Sequence, residues 1–271
     1  MHTNKSQNIN IKPYRQNFDF SQTPEKWMGE SEFLTNMMNS LSILFPEGEQ
    51  FFVESVRNVR KQINNKNLQK DISGFIGQEA MHSLEHENFN NFLKNHNFPV
   101  NETEKHLKLL LRTLKKLPER HQLAITCSLE HITAIMAEMI LTREDLKEKI
   151  DFSMNDLWTW HAIEEIEHKG VAYDVFNEVG GTYQERIFYQ ILSTVTLITF
   201  TSYVMSYYYI KNPSKIKPKD ILKGIKLTWG VKGAFPSLIP KWLDYFKYDF
   251  HPWNHDNSEL VNTYSDRVRK H

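Results

Sequence analysis

Twice in this chain a glutamate is followed three positions later by a histidine inside an apolar, helix-periodic stretch. These are Glu79 and His82 in FIGQEAMHSLEH, and Glu165 and His168 in WTWHAIEEIEHKGVAYD. A lone glutamate in another helical stretch precedes each pair: Glu49 in FPEGEQFF and Glu130 in CSLEHITA. The order Glu, Glu-x-x-His, Glu, Glu-x-x-His is the one by which four packed helices hold two metal ions between them. It constrains the fold because residues three or four apart share one helix face. At about 100° per residue, His168 stands about 60° from Glu165, and His161 about 40° to its other side. His82 and His86 bracket the same stripe on the other helix. Four carboxylates buried without partners would cost many kcal/mol or take up protons. Two divalent cations supply the four compensating charges. The neighbours Phe51, Phe52, Phe75, Ile76, Ile132 and Trp160 mark these positions as interior rather than solvated. By the same angles Glu164, Glu85, His131 and Glu138 point elsewhere. Beside Glu130, the small residues Thr133, Ala134 and Ala137 fit an oxygen or substrate pocket and close helix packing equally well.

The rest of the chain agrees with a helical fold. Glycine and proline number only 10 each in 271 residues, about half their usual share, which argues against a many-stranded sandwich or barrel. Apolar spacing predicts helices from Ser31 to about Ile63, Gly74 to Leu93, Asn101 to Leu117, Pro118 to Thr142 and Ser153 to Glu178. Pro46 should kink the first or restart it. Ser153 is the expected N-cap of the fifth, and Gly180-Gly181 its stop. Three regions result: a polar lead-in over 1–28 without regular structure, a metal-binding bundle over 29–182, and a charge-free helix with a helical extension over 183–271. The expected class is all-α, a helical bundle around a dinuclear metal site with extra C-terminal helices.

Ile187 to Ile210 is 24 residues without a charge, about 36 Å as a helix and long enough to cross a bilayer. Six lysines and one aspartate follow between Lys211 and Lys226. Seven Ser/Thr, five tyrosines and Gln190 dilute the segment, which favours a helix buried in the bundle over one that spans or lies on a membrane. Lys+Arg and Asp+Glu are both 33, so the basic footprint of a nucleic-acid-binding protein is missing. The single cysteine, Cys127, cannot form an internal disulfide, and one turn before Glu130 it reads as a buried, inert thiol. The polar start MHTNKSQNINIK shows no secretory signal. Cytoplasmic residence is expected, with membrane association through 187–210 as the alternative. Trp158 and Trp160 read as core. The sequence places His251-Pro252-Trp253 either over the site or away from it.

FPEGEQFF, GQEAMHSLEH, WTWHAIEEIEHKGVAYD and the late FHPW at Phe250 to Trp253 together resemble a bacterial family described as predicted metal-dependent hydrolases, over roughly residues 30 to 255. That resemblance implies a ferritin-like core. A more distant likeness, to the di-iron arylamine N-oxygenases such as p-aminobenzoate N-oxygenase, implies four glutamates and three histidines as ligands. On it the set is Glu49, Glu79, His82, Glu130, His161, Glu165 and His168, with His161 as the third histidine four residues before the last Glu-x-x-His. His86 departs from the pattern, as an eighth ligand or as a residue behind the ligands.

Three functions are open. The first and favoured is an oxygen-activating di-iron oxidoreductase or oxygenase, which needs an electron donor. Carboxylate and imidazole ligands suit iron or manganese, with iron favoured and zinc also compatible. The second is a hydrolase in which two metals activate a bridging water. The third is non-catalytic iron binding. No Gly-rich phosphate loop, Ser/His/Asp order or zinc-ribbon spacing is present. The partner expected of an enzyme is a small-molecule substrate, lipophilic if 187–210 meets a membrane, and bundles of this kind often form homodimers.

Overall fold

In the computed structural model residues 9–268 are described, and they are all-α, with one isolated bridge between Met28 and Ile150. Residues 1–8 of the expected lead-in, and 269–271, lie outside the described residues. The helices are α1 (Glu32–Val59), α2 (Lys66–Asn95), α3 (Val100–Leu114), α4 (Glu119–Thr142), the single turn α5 (Glu144–Lys147), α6 (Phe152–His168), α7 (Val171–Glu178), α8 (Tyr183–Lys211), α9 (Pro218–Trp229), α10 (Ala234–Asp244) and α11 (Ser258–Val268). α1 packs along α2 and α4, α6 crosses α4 and α2, and α8 lies across α1 and α4. The core has two main bodies of side chains, one with Phe89, Leu157 and Trp160 and one with Phe51, Phe75, Leu123 and Phe176.

α1 starts where the sequence said, with Ser31 capping the Leu34 amide, a contact worth about 1 kcal/mol. It does not restart at Pro46. A proline inside a helix leaves the carbonyl four residues earlier without a donor. Here that carbonyl is Ser42, and Asn90 of α2 donates its side-chain N–H to it at 3.1 Å. A neighbouring helix supplies the missing hydrogen bond, so 28 residues run unbroken.

α2 starts eight residues before the expected Gly74, with Asn65 as the cap accepting from the Asn67 and Leu68 amides. Gly74 lies inside the helix rather than at its start. A Cβ there would stand 2.5 Å from the carbonyl oxygen of Ile11, so the glycine is the groove in which the lead-in lies. Residues 9–28 lack helix, as expected, but Ile11, Phe20, Trp27 and Met28 are core residues. The polar composition of this segment hides four anchors.

The fifth expected helix is two, α6 and α7, broken at Lys169-Gly170. Its cap is Asp151, which accepts from the Ser153 amide, rather than Ser153 itself. At Gly170 a Cβ would meet the Trp253 ring at 2.9 Å. The late FHPW stretch thus packs on the break, where His251 pairs with Asp174 at 3.0 Å, and not over the glutamate cluster. Gly180-Gly181 follows α7 as expected. α8 begins in a capping box of Thr182 and Glu185.

α8 departs from the favoured expectation of a buried helix. α4 and α8 are both long and apolar enough to cross a membrane, but 72% of the apolar window of α4 is buried and only 28% of that of α8. One side of α8, with Tyr189, Gln190, Ser193, Val204 and Tyr208, faces the bundle. Phe188, Ile191, Leu192, Val195 and Ile198 are exposed on the other.

Candidate metal centre

The bundle brings all seven sequence candidates together. α1 contributes Glu49, α2 Glu79 and His82, α4 Glu130, and α6 His161, Glu165 and His168. Each is buried, none more than 4% exposed. They form two groups: donor atoms of Glu49, His82 and His161 lie within 4.8 Å of one another, as do those of Glu79, Glu165 and His168. Glu130 joins the second group, its Oε2 3.4 Å from His168 Nε2. Two glutamates touch both groups. Glu165 Oε1 is 3.2 Å from His161 Nε2, 3.6 Å from His82 Nδ1 and 3.8 Å from His168 Nε2. Glu79 Oε1 is 3.0 Å from His168 Nε2, while its Oε2 is 4.0 Å from His82 Nδ1.

The donors fit two cations and fit little else. Both oxygens of Glu79 and of Glu130, Oε1 of Glu49, Oε2 of Glu165, both nitrogens of His82 and Nε2 of His168 are buried without a hydrogen-bond partner. Native interiors rarely leave so many orphans in one place. Burial drives the carboxyls of Glu49, Glu79 and Glu130 well above the usual range, and repulsion among the glutamates adds to it. At Glu165 burial acts the same way, but the imidazoles of His161 and His168 beside it outweigh it and lower its value. Burial and the other imidazoles push His82 well below its ordinary value. Mixed carboxylate-imidazole donors of this kind are the chemistry that divalent transition metals take. Cations here would ionise the glutamates and use the histidine lone pairs.

A layer of polar residues fixes the histidines. Gln78 Oε1 accepts from His168 Nδ1 at 2.9 Å, which leaves the lone pair on Nε2, the atom aimed at the cluster. The amide of Gln78 is held in turn by Glu167 Oε2 at 2.7 Å. For His161 the chain is longer. The Ser42 hydroxyl donates to Asn90 Oδ1, so its oxygen accepts from His86 Nδ1, both at 2.9 Å. His86 is kept neutral by burial and by His161, and its Nε2 accepts from His161 Nδ1 at 2.9 Å. His161 Nε2 therefore carries the free lone pair. Both ring nitrogens of His86 are spent on this chain, which puts it behind the donors. Ser83 bonds Glu49 Oε2 at 3.0 Å, and Phe45 covers the His86 and His161 rings.

Gln78, Ser42, Ser83 and Asn90 escaped the sequence reading. A signal was present for two of them: Gln78, His82, His86 and Asn90 stand four apart on α2, a polar row in an apolar segment. Glu164 does not point away as expected. It is buried, its Oε2 lies 3.2 Å from His82 Nε2, and its Oε1 accepts from Trp160 Nε1 at 2.9 Å. The others stand apart from the cluster. His131 stacks on Tyr245, with burial pushing its value down to about 3. Glu138 pairs with Lys241, and Glu85 accepts from the Phe18 amide at 3.4 Å. Cys127 donates to the Ala172 carbonyl and is buried, which raises its thiol.

No curated protein and no solved structure matches this chain in sequence or fold comparison. A family profile does, and it spans both halves of the site, the FHPW stretch and most of the lead-in. Its match to residues 12–256 shows that the chain belongs to the family described as predicted metal-dependent hydrolases.

Proposed function

We propose that the chain is a dinuclear metal enzyme with a ferritin-like core that activates oxygen at two irons, an oxidoreductase that draws electrons from a partner. The observation that carries this reading is the burial of all seven donors, none more than 4% exposed. Dioxygen, protons and electrons reach a closed site more readily than an ester or amide group does. Glu49, His82 and His161 would hold one metal and Glu130 and His168 the other, with Glu79 and Glu165 between them. When bound, two irons supply reversible one-electron redox chemistry and a place for oxygen to bind. The chain's own contribution is orientation and proton control. Gln78 and His86 keep the lone pairs of His168 and His161 directed inward, an arrangement behind metal ligands commonly worth 10- to 100-fold in affinity or activity. The apolar cover of Phe45, Phe75 and Trp160 excludes water.

A second reading is hydrolysis, which the family description favours. A polar cavity of about 370 Å³ lined by Gln50, Ser83, Glu87 and Asn90 reaches Ser83, one hydrogen bond from Glu49. A small polar substrate would approach from there. The discriminating experiment is metal analysis of protein from iron-supplemented cells, followed by absorbance while oxygen meets the dithionite-reduced sample. About two irons per chain and a transient visible band support the oxygenase. Zinc or manganese at the same stoichiometry, with no response to oxygen, moves the assignment to the hydrolase. Less than one metal per chain removes the shared site altogether.

A further inference from the structure

On the far side of α4 from Glu130 lies a second cavity, of about 310 Å³, within the range of small-ligand sites. α1, α4, α8, α9 and α10 wall it, almost wholly with apolar side chains. Ile198 of α8, Trp229 of α9 and Ile239 of α10 line it and are also 44%, 50% and 52% exposed. They are its rim. The rim therefore places the exposed faces of three helices on one side of the molecule. That side carries Phe188, Ile191, Leu192 and Val195 from α8, Leu222 and Ile225 from α9, and Leu243 from α10, all exposed. Solvated monomers seldom keep so continuous an apolar surface.

The charges around it say what covers it. α9 turns Gly224 and Thr228 inward, and outward it shows Leu222, Ile225 and Trp229 with Lys219, Lys223 and Lys226 between and beside them. From Lys211 to Lys232 there are seven lysines and a single acid, Asp220. Asp220 is spent on the Phe33 amide at 2.9 Å. Among the described residues Lys217, Lys219, Lys223, Lys226 and Lys232 form no ion pair. An apolar stripe flanked by unpaired lysines, with a tryptophan at the boundary, is the composition of a helix that lies in a membrane interface. A second copy of the chain would bring these lysines against their own equivalents, whereas an anionic surface neutralises them.

We propose that the α8–α9–α10 face docks on an anionic phospholipid bilayer, with α8 lying in the interface plane rather than spanning it, and with the cavity mouth open to the acyl chains. α8 cannot leave the bundle to span, because Tyr189, Gln190, Ser193, Val204 and Tyr208 are built into it. The proposal is independent of which metal reaction the cluster performs.

The test is co-sedimentation of the full chain with vesicles of phosphatidylcholine alone and of phosphatidylcholine with phosphatidylglycerol. Binding is expected to the anionic vesicles, to fall with salt, and to drop at least about tenfold in Ile191→Glu/Val195→Glu. Both residues are exposed, so an unchanged melting curve is expected. Lys223→Gln/Lys226→Gln/Lys232→Gln should lower partitioning on the order of a hundredfold at low salt. Bromine on the acyl chains should quench Trp229 emission, a loss absent in Trp229→Phe. No binding to anionic vesicles, or equal binding to both kinds, overturns the proposal. So does binding without quenching, which would mean adsorption by charge alone. A dimer that Val195→Glu converts to monomer, with no vesicle binding, assigns the face to a second copy instead.

Discussion

Glu165 is the residue on which the cluster turns, since one of its oxygens lies within 3.8 Å of all three histidines. Removing a group shared by two cations should cost both. Glu165→Ala and Glu79→Ala are expected to lose both metals together, whereas Glu49→Ala and Glu130→Ala, each on one group, should retain about one. Metal analysis of the four variants checks this, and a full complement in Glu79→Ala or Glu165→Ala would contradict the shared site. Gln78→Ala should bind metal about 10- to 100-fold more weakly, read by competition with a chelator. Loading must also expel protons, because Glu49, Glu79 and Glu130 hold theirs well above the ordinary range when buried together. Affinity should therefore fall as pH falls. Calorimetry in buffers of different ionisation enthalpy counts the protons released. The seven donors were legible because order and three-residue spacing are properties of sequence. Glu164 was not, because a helical angle gives a direction but not the neighbour it meets, which here is His82 on another helix.

At the scale of the helix, α1 and α2 depend on each other at Asn90. This one side chain fills the gap Pro46 leaves at the Ser42 carbonyl and accepts the Ser42 hydroxyl that steadies His86. Asn90→Ala leaves a buried carbonyl unpaired, a loss of about 1–3 kcal/mol, seen as a lower urea midpoint. In Asn90→Ala/Pro46→Ala the helix can close its own bond, so the stability loss should shrink while His161 stays loosened. If the double variant is as unstable as the sum of the singles, the carbonyl is not what Asn90 serves. Helix existence could be read from the sequence. The start of α2 could not, since Gly74 looks like the beginning of the helix until Ile11 is laid against it. The break at Lys169-Gly170 is of the same kind, set by Trp253 from far along the chain. The exposure of α8 was hidden too, since an apolar run has the same composition whether it faces a core or the outside.

For the molecule as a whole, the buried carboxyls set how stability follows pH. Groups whose folded value lies above the unfolded one stabilise the fold at low pH and cease to do so as pH rises through the folded value. Glu49, Glu79 and Glu130 are of this kind. His82 and His86 are the reverse, depressed when folded, and they penalise the fold only below the ordinary histidine value of 6.5. Above that pH the carboxyls act against buried Lys169, whose value burial lowers to about 7. By itself Lys169 makes the fold more stable as pH rises towards the ordinary lysine value. Only the carboxyls answer to metal, so as pH rises above the ordinary carboxyl range the metal-free protein should lose melting temperature relative to the metal-loaded protein. Thermal scans with and without chelator compare the two. The lysines of 211–232 have a different consequence. Positive and negative residues are equal in number, 33 each, yet this stretch holds a surplus of six positive charges, and the other residues an equal deficit. A molecule so divided migrates little in an electric field near neutral pH, but it has a permanent dipole and turns in the field. Facing a charged surface, it is oriented before it arrives.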